Sequence, residues 1–182
     1  MNAKEHGAIA AHIDLAVENA AETLLEVSHA IHGKPELAFE EHFACALLSE
    51  TLRDHDLNVE TGVYSLETAF ETTINSERDG PTVAVLAEYD ALPQIGHACG
   101  HNVIATSALG ATLALDAVAA FLPGRVKLLG TPAEERGGGK ELMARAGAFE
   151  GIDAALMVHP AGVNLATMPS ICVAEVEVVY HG

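Results

Sequence analysis

The sequence predicts an α/β fold, a largely parallel sheet with helices on both faces. Two observations carry that expectation. Segments with apolar residues at helical spacing alternate with short, continuous apolar runs of strand length. Within a few residues after three of those runs stand Asp90, Glu134 with Glu135, and His159. In open parallel sheets, ligands collect beyond the carboxyl ends of the strands.

The first helix is expected over 8–31, where Ile9, Ile13, Val17, Leu24, Val27 and Ile31 recur on one face. His32-Gly33-Lys34-Pro35 breaks it, and a second helix is expected over 36–54, with Leu37, Phe43, Leu47 and Leu48 inward. A strand is expected over 68–75, closed by the turn 77–80. The run TVAVLA at 82–87 reads as a strand covered on both faces. A helix over 103–121 ends at Pro123-Gly124 and leads to a buried strand over 126–129. Helix 140–146, strand 154–158 and an alternating strand over 171–180 complete the series. Segment 103–122 approaches membrane length, but it is rich in Ala, Gly and Thr and carries Asp116, which favours a buried helix.

A chain of 182 residues suits one domain with a proper core. Five Phe, three Tyr and no Trp leave that core to aliphatic side chains. Nine Lys and Arg against 26 Asp and Glu give a formal charge of −17, so no basic stripe exists to neutralise nucleic-acid phosphates. Cys45, Cys99 and Cys172 are odd in number and far apart, which points to a reducing compartment and no disulfide framework. The N-terminus mixes acids and His into its apolar positions, unlike a signal peptide. A cytoplasmic protein without membrane or nucleic-acid partners is expected.

The chemistry-bearing residues cluster. Cys99 and His101 lie two apart in GHACGHN, on a Gly-rich loop that opens a helix whose N-terminus favours a thiolate. Taken alone, the pair reads better as a structural Cys beside a surface His. Glu134 and Glu135 follow a buried strand and precede three glycines, so surface acids and a functional pair are about equally good readings. His159 alone is compatible with a satisfied core histidine, and Asp90 with a turn cap near Pro93. Together these side chains are the thiolate, imidazole and carboxylate donors of a borderline metal such as zinc. A carboxylate next to a ligand carboxylate is what metal-assisted hydrolysis needs as general base.

The ordered motifs IHGKPELAFEE, AEYDALP, GHACGHN, TPAEERGGGK, RAGAF and MVHP resemble those of the dinuclear metallopeptidases that include carboxypeptidase G, aminoacylase and hippurate hydrolase. Within that family the chain is most similar to the branch of p-aminobenzoyl-glutamate hydrolase and the dipeptidases cleaving Xaa-Arg or β-alanyl-lysine bonds. Asn102 stands where hippurate-hydrolase relatives carry Asp. The resemblance implies a zinc-peptidase-like three-layer α/β/α catalytic domain with a mixed, largely parallel sheet. It implies a metal-dependent hydrolase acting on an amide or peptide bond of a dipeptide or an N-acyl or N-aroyl amino acid, with two divalent ions, zinc or manganese. Cys99, His101, Glu135 and His159 match metal ligands, Glu134 the general base and Asp90 the acid that orients the site; His97 matches no ligand.

Family members insert a lid and dimerisation domain after a strand ending in Phe/Tyr-His-Gly, which Tyr180-His181-Gly182 match. The expectation is therefore that 1–182 is the N-terminal part of the catalytic domain. The lid would start at about 180, and the full-length protein would dimerise through it. The lid and the returning chain supply two further His residues and the last strands, so an uncovered sheet edge and at most trace hydrolysis are expected of 1–182 alone. Two other readings are a truncated, inactive metal-binding paralogue and a plain acidic α/β domain whose Cys, His and Glu are incidental.

Overall fold

The computed structural model describes residues 3–76, 78–166, 176 and 178–181. Helices α1 (Ala3–Gly33) and α2 (His42–Asp54) precede strands β1 (Val59–Thr61), β2 (Phe70–Asn75) and β3 (Thr82–Ala87). Helix α3 (His101–Asp116), strand β4 (Arg125–Gly130), helix α4 (Gly139–Arg145) and strand β5 (Ala154–Leu156) follow. The sheet order is β1-β2-β4-β3-β5.

The sheet is mixed. Strands β4, β3 and β5 are parallel, with Val83 opposite Val126 and Ala154, because α3 makes the long crossover that parallel neighbours need. Strand β2 runs antiparallel to β4, and β1 antiparallel to β2 across the short connection 62–69. The turn after β2 does not pair it with β3; β4 lies between them. Pro123-Gly124 threads against that turn: Gly124 N donates to Arg78 O at 2.8 Å and Arg125 N to Pro81 O at 2.9 Å. Gly124 has φ +78°, and an added Cβ would overlap the Pro81 carbonyl oxygen, so this crossing requires glycine.

The period-two alternation of strands sorts the core into two layers. Val85, Ala87, Phe70 and Leu128 face α1, α2 and α3, packing with Ile31, Leu48 and Leu109. Ala84, Leu86 and Leu129 face the other way, against Met143, Ala148 and Phe149. The strand at 82–87 is thus covered on both faces, as its unbroken apolar run requires. Among the described residues no helix is long and apolar enough to cross a membrane. Instead α3 buries most of its length between α1 and the sheet.

Three expectations need correction. The second helix starts at His42, not at residue 36, because the Glu36 carboxylate accepts from Phe43 N and Ala44 N, each at 3.0 Å, and caps the helix from upstream. Phe39 has φ +65°, which no helix accommodates, and Leu37 is exposed. The third helix ends at Asp116 and gives way to a 3₁₀ turn at Ala119–Phe121. Strand β5 ends at Leu156, not at residue 158, and among the described residues it is exposed, with Leu156 65% and Val158 70% accessible. Most of the strand expected over 171–180 lies outside the described residues, as does Cys172.

Candidate metal centre

The parallel strands β3, β4 and β5 end on one side of the molecule, and each delivers polar residues there. Beyond β3 come Glu88, Tyr89 and Asp90. Tyr89 turns into the core, stacks on Phe70 at 5.8 Å and donates its hydroxyl to Thr68 O at 2.6 Å. Period-two alternation then sends Glu88 and Asp90 the opposite way, both to His101. His101 opens α3 after Gly100, whose φ of +78° makes the sharp entry.

His101 is the hub. Its Nδ1 donates to Asp90 Oδ1 at 3.0 Å, which orients the ring and turns Nε2 away from Asp90. Around Nε2 stand Glu88 Oε2 at 3.3 Å, Glu135 Oε1 at 3.6 Å and Glu134 Oε2 at 3.8 Å. Asp90 Oδ2 accepts from Glu135 N at 2.9 Å, so one carboxylate orients two neighbours. His159, after β5, brings its ring edge-on to His101 at 6.0 Å. Ligand atoms of Glu88, His101 and His159 lie within 4.8 Å of one another, as do those of His101, Glu134 and Glu135. Cys99 belongs to neither group but lies against the Glu135 carboxylate.

The electrostatics call for a cation. Among the described residues Glu88 Oε2, His101 Nε2 and Glu135 Oε1 are buried with no hydrogen-bond partner, although they face one another. Buried charged atoms without partners are costly, and acceptors converging on one space are the donor set of a metal. Against four carboxylates, Lys140 contributes one ammonium through its ion pair with Glu88 Oε1. Burial alone pulls the His101 imidazole down, but Asp90 and Glu88 outweigh it and hold its pKa above the usual histidine value. Burial and then Glu88 raise the Glu134 carboxyl. Burial raises Asp90 too, but its bonds to His101 and Glu135 N win and leave it lowered.

The thiolate expected at Cys99 is not favoured by this arrangement. Its hydrogen bond to Glu135, followed by burial, pushes the thiol up to about 11. A neighbouring full negative charge outweighs the partial positive charge of a helix end. A cation between sulfur and carboxylate would reverse that sign.

Glu88 is the residue that sequence reasoning missed. Its signal was its position two residues before Asp90, which puts both on one side of an extended chain. His97 stands apart, buried beside His32 at 6.3 Å. Asn102 faces α1, donating to Ser28 Oγ at 3.0 Å. An apolar groove of about 680 Å³ between α1 and α3 is away from the site; a cavity of about 670 Å³ is lined by His159, and one of about 290 Å³ adjoins Glu135.

Residues 84–182 match the model of peptidase family M20/M25/M40. The chain is 44% identical over 178 residues to mouse (Mus musculus) Xaa-Arg dipeptidase, covering 91% of this chain and 41% of that protein. It is 32% identical to one of the subunits of Escherichia coli p-aminobenzoyl-glutamate hydrolase, covering 81% of this chain and 34% of that protein. The fold superimposes with a TM-score of 0.70 on the Bacillus subtilis YXEP protein, described as a dinuclear metal binding peptidase from M20 family. The two are 27% identical, over 76% of this chain and 42% of that one. The chain therefore spans less than half the length of these relatives.

Proposed function

Because the chain belongs to peptidase family M20/M25/M40, we propose that it forms the N-terminal, metal-binding part of the catalytic domain of a hydrolase. The bond cleaved is an amide or peptide bond of a dipeptide or N-acyl amino acid. One observation carries this reading: the three buried, unpartnered ligand atoms on Glu88, His101 and Glu135 that face one another beyond parallel strand ends. On this reading Cys99, His101, Glu135 and His159 are metal ligands, and Glu88 adds a carboxylate to the same space.

When bound, a divalent ion such as zinc or manganese supplies Lewis acidity at the scissile carbonyl and acidifies water to a pKa of roughly 7. The chain's own residues do the rest. Asp90 holds His101 Nδ1 and Glu135 N, so both ligands meet the ion pre-aimed. Lys140 neutralises one oxygen of Glu88 and leaves the other free to ligate. Glu134 is partly open to solvent, and its raised pKa suits a group that takes a proton from the attacking water. The same carboxyl then delivers that proton to the leaving amine nitrogen.

The substrate class rests on the relatives, whose names specify an Xaa-Arg dipeptide and p-aminobenzoyl-glutamate, both small amides of an amino acid. For the complete protein we propose two metal ions, a lid starting at about 180, dimerisation through that lid, and a cytoplasmic location in keeping with the dispersed cysteines. The test is hydrolysis of Xaa-Arg dipeptides, β-alanyl-lysine and p-aminobenzoyl-glutamate by the intact protein, stripped of metal and reloaded with zinc or manganese. Turnover should require metal. Glu134→Gln should keep the parental metal content while kcat falls by about 10²–10⁴-fold. Metal-independent turnover, or a parental rate in the variant, would contradict the assignment.

A further inference from the structure

The segment PELAFEE at 35–41 crosses the ends of β3 and β4 without being helix or strand. It touches both strand-end loops. Glu36 O accepts from Ala91 N at 2.8 Å, next to Asp90. The Phe39 ring closes over Gly137, where an added Cβ would overlap it. Glu41 is fully buried at 0% exposure; its Oε1 accepts from Ala133 N and its Oε2 from Thr68 Oγ1, each at 2.8 Å. Ala133 has φ +58°, a left-handed conformation that alanine adopts only when its surroundings impose it. The residue after it is Glu134.

We propose that Glu41 is a positioning residue for the metal centre: its carboxylate holds Ala133 in the left-handed conformation and so sets the direction in which Glu134 and Glu135 leave β4. A buried carboxylate bonded to a backbone N–H makes a strong, charge-assisted anchor. Asp90 grips the same loop at Glu135 N, so the loop is fixed on both sides of Glu134. The inference deepens the proposed hydrolase reading and rests on it for its functional consequence, but its structural half can be read without metal or substrate.

The test uses the intact protein and its Glu41→Ala, Glu41→Gln and Glu41→Asp variants. Gln keeps an acceptor for Ala133 N and donates to Thr68, so it should stay within about threefold of the parent in every readout. In Glu41→Ala, amide exchange of residues 131–137 in the metal-free protein should rise about tenfold, with exchange in α1 and α3 unchanged. A displacement of the base by about 1 Å costs on the order of 10²-fold in kcat, while KM stays within about threefold; zinc affinity falls by less than about tenfold, because Asp90 still holds Glu135 N. Adding Ala133→Gly, which adopts positive φ without strain, should recover about threefold or more of that loss. Should Glu41→Ala fail to fold, Glu41→Asp keeps the charge but withdraws the oxygens by one methylene, and it should show the same pattern. Parental exchange at 131–137 in the folded variant overturns the proposal, as does a loss that the Gly substitution does not relieve. A parent that binds no metal and hydrolyses nothing defeats the hydrolase reading instead, and the exchange measurement still decides the role of Glu41.

Discussion

Replacing Asp90 with Asn tests whether one carboxylate orients two ligands. Asp90 is 1% exposed and accepts from two donors, His101 Nδ1 at 3.0 Å and Glu135 N at 2.9 Å. Asparagine has one acceptor oxygen; its amide group then faces the second donor with nothing to accept. One charge-assisted bond of roughly 1.5–3 kcal/mol is lost, and the orphaned N–H adds to the cost. Losing a bond that orients a metal ligand typically weakens metal binding by about 10–100-fold, or roughly 1.4–2.8 kcal/mol. Competition of the intact protein against a chromophoric chelator measures the zinc Kd directly. Asp116→Asn, at the exposed end of α3, serves as the control and should bind zinc like the parent. A Kd for Asp90→Asn within about twofold of the parent would refute the claim that Asp90 aims His101 and Glu135.

Glu88→Gln should lower zinc affinity by about tenfold or more, because one carboxylate oxygen that faces His101 Nε2 is lost as a ligand; chelator competition reads the Kd, and a parental value would count against the site. Lys127 Nζ pairs with Glu71 Oε2 at 2.7 Å and donates to Tyr64 OH at 2.8 Å; burial lowers its pKa, but these bonds outweigh burial and raise it. A raised folded pKa stabilises below the unfolded value of about 10.4 and is lost as pH climbs through the folded value. Denaturant midpoints should therefore drop above about pH 10.4 in the parent and more shallowly in Lys127→Met, parallel curves being the contrary result. Gly124→Ala should destabilise by roughly 2–4 kcal/mol, against about 1–2 kcal/mol for Gly62→Ala, which has similar φ but open space around it; equal losses in urea titrations would show that the Pro81 contact is unimportant.

The legible parts of the fold were those where one physical cause dominates. TVAVLA is apolar throughout because both faces of β3 are covered, and its limits in the structure are 82 and 87, as read. The 35–41 segment misled because Leu37 reads as an extension of the inward face of Phe43, Leu47 and Leu48. Its backbone is set instead by the Glu36 cap and the positive φ at Phe39, which depend on atoms distant in sequence. Strand β1 has only three residues, too few to carry a pattern. Within the candidate site, Asp90, Glu134, Glu135 and His159 were visible because each stands within a few residues after an apolar run. Glu88 and Glu41 were not, because a single acid beside a strand or a helix start looks the same whether it faces solvent or a buried partner. The pKa of Cys99 follows from its distance to Glu135, and spacing along the chain does not encode that distance.

The central claim is that the unpartnered atoms of Glu88, His101 and Glu135 surround a metal ion. Anomalous diffraction at the zinc edge, from crystals of the intact protein loaded with zinc, tests it most directly. The account predicts a peak about 2.0–2.2 Å from His101 Nε2 and from a Glu135 carboxylate oxygen, and its disappearance in His101→Ala. Zinc bound elsewhere with His101 Nε2 left unligated, or no peak at full zinc loading, would contradict it.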